Sequence, residues 1–136
     1  MRSIIMIIVH CSAVKPSQRS SADDIDRWHR ESGFQQIGYH FVVRRNGQTE
    51  LGRPIEKTGA HCRHHNRYSI GVCYEGGLDE YGRPADTRTK EQKAALWLLL
   101  KQLKSMFPMA VIVGHHDLDS RKACPCFDAA TEYGNL

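Results

Sequence analysis

Ile4-Ile5-Met6-Ile7-Ile8-Val9 is an unbroken apolar run rich in β-branched residues, the pattern of a strand covered on both faces in a largely parallel sheet. A helix follows. Ser20 or Ser21 caps it, Asp23 and Asp24 sit in its positive first turn, Ile25, Trp28 and Ser32 share a face, and Gly33 stops it. Tyr39 to Arg44 alternates as a strand, Asn46-Gly47 is a hairpin turn, and Thr49-Glu50-Leu51 is the returning strand. Residues 53–68 make a polar, His-rich loop too long for a mere connector. Ser69 to Tyr74 is a further strand, ended by Gly76-Gly77 and an excursion rich in Gly, Pro and Asp that runs to Arg88.

Thr89 with Gln92 three residues on is a capping-box pattern, and Leu96, Leu99, Leu100, Leu103 and Phe107 then recur at helical spacing. Pro108 ends that helix, Val111-Ile112-Val113-Gly114 is a short buried strand, and the tail from Ser120 is irregular with one helical turn after Asp128. Trp28 and Trp97 both fall on helices and are expected in the core. Strands alternating with helices predict an α/β fold: one domain over residues 1–136, with a mixed, mostly parallel central sheet flanked by helices.

The length of 136 residues suits one domain. Hydrophobic residues at 40% and charged residues at 25% exclude a disordered chain. A net charge of +4 suits anionic polymers, cell-wall material and nucleic acid alike, without choosing between them. The opening apolar run has six residues, below the roughly 7–15 of a signal-peptide core and far below the roughly 20 that span a bilayer. A buried strand is the better reading, so the chain is expected to be made in the cytoplasm without a signal peptide and to have no membrane partner. Five cysteines leave one over from any closed disulfide set, and beside eight histidines they suggest a reduced protein with a metal site.

That site has a place. His10 follows the first buried strand and His115-His116 follows the last, so two parallel strands would open both at the carboxyl edge of the sheet, where α/β proteins place their sites. Cys124 lies nine residues beyond His115. Two imidazoles and a thiolate are a good zinc set, with a fourth position left for water. Adjacent residues on an extended chain point to opposite sides, so His115 and His116 are not expected to share an ion. By the same parity Lys122, Cys124 and Cys126 can share a side, and spacing leaves the choice between the two cysteines open.

His10-Cys11-Ser12-Ala13, Gly38-Tyr39-His40-Phe41, Ser69-Ile70-Gly71-Val72, His115-His116-Asp117 and Lys122-Ala123-Cys124-Pro125 occur in that order. Together they resemble the zinc-dependent N-acetylmuramoyl-L-alanine amidases of the type-2 class, which include amidase-type bacteriophage lysozymes and are similar to the catalytic peptidoglycan recognition proteins. The resemblance covers nearly the whole chain. It implies zinc ligands at His10, His115 and Cys124, a catalytic tyrosine at Tyr39 and a catalytic lysine at Lys122. The segment Gly59-Ala60-His61 through Asn66 resembles the groove lining, which makes His61 and Asn66 candidate substrate contacts. Cys126 departs from the pattern, where a small polar residue is more usual, and raises the question of redox sensitivity or alternative ligation. His29, His40, His64 and His65 are assigned no catalytic role.

The implied reaction is cleavage of the amide between the lactyl group of N-acetylmuramic acid and the L-alanine of the stem peptide. Peptidoglycan is the implied partner, Zn2+ the cofactor, and a monomeric, endolysin-like or prophage-type enzyme acting on the wall after release is expected. Two alternatives stand beside it. A peptidoglycan-binding protein without activity would lack part of the ligand and catalytic set, all of which is present here. A nucleic-acid-binding zinc module would gather its Lys and Arg and carry paired Cys-x-x-Cys motifs, neither of which the chain does.

Overall fold

The computed structural model describes residues 2–136. Its elements are β1 (Met6–Cys11), α1 (Ala22–Glu31), β2 (Phe41–Val43), β3 (Thr49–Leu51), β4 (Ser69–Tyr74), α2 (Lys90–Met106), β5 (Val111–Gly114), α3 (His115–Leu118) and α4 (Ala129–Tyr133). The strands form one sheet in the order β3-β2-β4-β1-β5. β1 pairs in parallel with both β4 and β5, β4 pairs in parallel with β2, and only the hairpin strand β3 runs antiparallel. The sheet is therefore mixed and mostly parallel, as the pattern predicts.

Both helix starts follow their capping chemistry. Ser21 accepts from the Asp24 N–H while the Asp24 carboxylate accepts from Ser21 N–H, and Thr89 and Gln92 repeat the exchange at α2. Gly33, two residues beyond the end of α1, has φ +99°, which a side chain would strain. Leu96, Leu99, Leu100 and Leu103 of α2 pack on Ile7, Val9, Ile70, Val72 and Tyr74. Burying each such leucine is worth about 1.5–3 kcal/mol relative to leaving it in water. On the other face, Ile25 of α1 packs with Ile37, Val42 and Cys73, and with the partly buried Trp28 and Tyr39.

Strand parity places the site. Ile7, Val9 and Cys11 alternate into the α2 core, so His10 emerges on the opposite face, that of α1, paired in register with Cys73. β1, β4 and β5 all end at one edge of the sheet, and His10 and His115 lie there.

Four expectations need correction. The first strand begins at Met6, although Ile5 still donates to the Tyr68 carbonyl and accepts from the Val111 N–H just outside the regular ladder. β2 begins at Phe41 because Tyr39 gives its carbonyl to the Arg53 N–H, turning out of the strand pairing. Trp97 is 45% exposed: it lies on the outer side of α2, where the Lys101 ammonium sits 4.8 Å from its ring. His115 and His116 are not extended but begin the short helix α3, whose Asp117 carboxylate accepts from the Gly114 N–H.

Candidate metal centre and groove

The chain brings His10, His115 and Cys124 together from three separate segments. One ligand atom from each lies within 4.8 Å of the others, and the rings of His10 and His115 are 4.7 Å apart. This set could hold a metal ion. His10 is 1% exposed; burial first, then the neighbouring His61 and His115, pushes its pKa well below the ordinary histidine value. Burial followed by Lys122 lowers His115 as well. Both rings are therefore neutral near pH 7 and carry the lone pair that a metal requires.

Cys124 is held at three points. Its sulfur accepts from the Cys11 N–H at 3.1 Å, its carbonyl accepts from the His116 N–H at 2.8 Å, and the next carbonyl, of Pro125, accepts from the buried Tyr74 hydroxyl at 2.6 Å. Gly114 makes room for this loop, since a Cβ there would stand 2.8 Å from Pro125 Cδ. Cys126 goes elsewhere: its sulfur lies 3.9 Å from that of Cys11 and donates to the Gly77 carbonyl at 3.3 Å. With φ +69° at Cys126 the extended-chain parity that made the two cysteines equivalent does not hold. His116 also leaves the cluster, as its Nδ1 pairs with the Lys122 carbonyl at 2.6 Å.

Tyr39 sits against the centre, with its ring 5.0 Å from that of His10. Burial, then the Cys73 thiol, raises its pKa well above the ordinary tyrosine value, which keeps the phenol protonated. His29 supports the approach to Tyr39 by accepting from the Gly38 N–H at 2.9 Å. Lys122 is exposed and lines the groove with His115.

The groove has two lobes that meet at His61. A cavity of about 500 Å3 is lined by His65, His115, Asp119, Arg121 and Lys122 among others, and one of about 360 Å3 by His29, Phe34, Tyr39 and Asn66. The first lobe is predominantly basic and the second is aromatic. Asn66 spends its Oδ1 on the loop itself, accepting from the N–H groups of His61 and Cys62 at 2.9 and 3.0 Å. His61 is partly buried, and its Nδ1 is 2.8 Å from Nε2 of His10. Residue spacing gives no sign of this last pairing, because the two histidines are 51 positions apart.

A mixed, mostly parallel α/β sheet that brings two histidines and a cysteine together beside a groove defines a site that could hold a metal ion, and the family follows from comparison. Residues 1–127 match the N-acetylmuramoyl-L-alanine amidase family model, and the chain belongs to that family. It is 43% identical over 120 residues to the endolysin of Enterobacteria phage K11, covering 88% of this chain and 79% of that one. It is likewise 43% identical over 122 residues to the endolysin of Escherichia phage T7, covering 90% and 80%. Among solved structures, the N-acetylmuramoyl-L-alanine amidase LysC from Clostridium intestinale URNW superposes with a TM-score of 0.82 at 26% identity, over 96% of this chain and 82% of that one. Drosophila PGRP-LB shares the fold, with a TM-score of 0.79 at 22% identity over 97% and 80%.

Proposed function

We propose that this single-domain protein is a zinc-dependent, endolysin-like peptidoglycan hydrolase. It cleaves the amide between the N-acetylmuramic acid lactyl group and the L-alanine of the stem peptide. The observation that carries this reading is the convergence of His10, His115 and Cys124 within 4.8 Å, next to the groove that His115 lines. The donor set suits zinc: two neutral imidazoles and one sulfur already aimed at by an N–H are three protein ligands, the number that leaves a fourth position to water in a catalytic zinc site. Zinc held there supplies Lewis acidity to the amide carbonyl and lowers the pKa of water towards 7.

The protein's own groups do the rest. Tyr39, neutral and packed on His10, donates a hydrogen bond towards the oxygen on which negative charge develops. Lys122, on the other side of the groove beside His115, adds a cationic donor to the same charge. The departing amine takes its proton from one of these two donors, through water. His61 and Asn66 shape the middle of the groove, and the stem peptide and sugar extend along its two lobes.

Among the described residues no helix is long and apolar enough to cross a membrane. The reading has the protein made in the cytoplasm and acting on the wall after release, as a monomer and with no nucleic-acid partner. The test is digestion of purified peptidoglycan followed by mass spectrometry of the products. Free stem peptides beginning with L-alanine, whose release a chelator stops and added zinc restores, are expected. Cleavage that a chelator leaves untouched, or cleavage within the glycan, contradicts the proposal.

A further inference from the structure

The motif resemblance makes His61 a substrate contact, yet the structure gives its Nδ1 another partner. We propose that His61 is a positioning residue for His10, fixing that ring's tautomer so that Nδ1 of His10 faces the metal; this rests on the zinc reading above. His10 has two ring nitrogens, and Nε2 lies 2.8 Å from Nδ1 of His61. Only one proton sits between two neutral rings. If it rides on His10 Nε2, then Nδ1 of His10 keeps its lone pair for the metal. The proton of His61 then sits on its own Nε2, where Ser69 Oγ accepts it at 3.3 Å. The opposite arrangement leaves the His10 proton on Nδ1, where it excludes a metal. Metal binding therefore selects one direction along the chain His10–His61–Ser69.

The position of the His61 ring is built rather than incidental. A Cβ at Gly71 would lie 2.6–2.8 Å from three of its ring atoms, and a Cβ at Gly59 would lie 2.7 Å from its Cδ2. Gly71 is on β4 directly beside Ile8 of β1, so the slot opens onto the strand that carries His10. The backbone is fixed as well, because Asn66 Oδ1 accepts the His61 N–H. A metal-bound imidazole ordinarily donates its second N–H to a carboxylate, carbonyl or water, and such partners orient the ligand. Here that partner is a second imidazole held between two glycines.

The test measures zinc affinity of the purified holoprotein by chelator competition, together with long-range 1H–15N spectra of the histidine rings. His61→Leu is expected to weaken zinc binding by about 10–100-fold, the range for loss of such a partner. His61→Asn, whose amide oxygen can accept from His10 Nε2–H, is expected to recover most of that loss. In the zinc-loaded wild type the His10 proton is expected on Nε2, a readout available even if the leucine variant fails to fold. Wild-type zinc affinity in His61→Leu with only KM for muropeptide raised, no recovery in His61→Asn, or a His10 Nδ1–H signal overturns the inference while leaving the zinc site standing. A wild-type protein that takes up no zinc overturns both.

Discussion

The N–H of Cys11, the last residue of β1, donates to the sulfur of Cys124 across 113 positions of sequence. Strand end and the loop carrying Cys124 are thereby joined at the atom that completes the proposed ligand set. That N–H fixes where the sulfur sits beside the two imidazoles. Cys124→Ser should therefore abolish activity and weaken zinc binding by more than the about 10–100-fold typical of losing an outer partner. Cys126→Ser should retain both, since Cys126 points to Cys11 and the Gly77 carbonyl. Zinc content and muropeptide release in the two variants check this pair; loss in both would return Cys126 to the ligand set.

Tyr39 and Lys122 approach the centre from different sides of the groove, and neither is a metal ligand in this reading. Tyr39→Phe and Lys122→Ala should each lower kcat by about 10²–10³, the effect of removing one oxyanion donor. Fold and zinc content should stay unchanged. Wild-type turnover in either variant removes that residue from the chemistry.

Acid should destabilise the protein through His40. This buried ring accepts from the Gly71 N–H on Nδ1 and donates from Nε2 to the Lys57 carbonyl, each at 2.9 Å, so it is folded in the neutral form. Burial lowers its pKa to about 4 from 6.5. Between those values the unfolded chain binds the extra proton, so stability is full above about pH 6.5 and falls as pH drops towards 4. At about 1.4 kcal/mol per unit the loss from this ring approaches about 3 kcal/mol. Denaturant melts of metal-free protein from pH 7.5 to 4.5 should show it, and His40→Asn should flatten the slope. Equal slopes in both proteins contradict the assignment.

Gly114 is required for space, since its φ of −93° is open to any residue. Gly114→Ala would press a methyl group against Pro125, one residue from Cys124, the proposed sulfur ligand. A cost of about 1–3 kcal/mol, typical of overpacking, is expected, with weakened zinc affinity. A variant with unchanged melting temperature and zinc affinity would show that the loop yields freely.

Local chemistry was legible from the residues alone. The β-branched run, the serine cap of α1, the capping box of α2 and its leucine stripe each act within a few positions, and they define β1, α1 and α2 to within two residues. The placement of His10 and His115 at a shared carboxyl edge also follows from parallel strands. What was not legible depends on longer range or on backbone departures. Four residues of α3 are too few to show a helical period, and the left-handed Cys126 breaks the parity that spacing assumes. Trp97 falls among apolar neighbours in sequence, but its side of α2 faces water. Pairing of His10 with His61 through slots at Gly59 and Gly71 needs the folded sheet to be seen at all.

X-ray absorption at the zinc edge of the purified protein tests the account most directly. The expected shell contains one sulfur at about 2.3 Å and two imidazole nitrogens at about 2.0–2.1 Å, with the sulfur lost in Cys124→Ser and kept in Cys126→Ser. A shell without sulfur, a second sulfur contributed by Cys126, or protein that carries no stoichiometric zinc would contradict it.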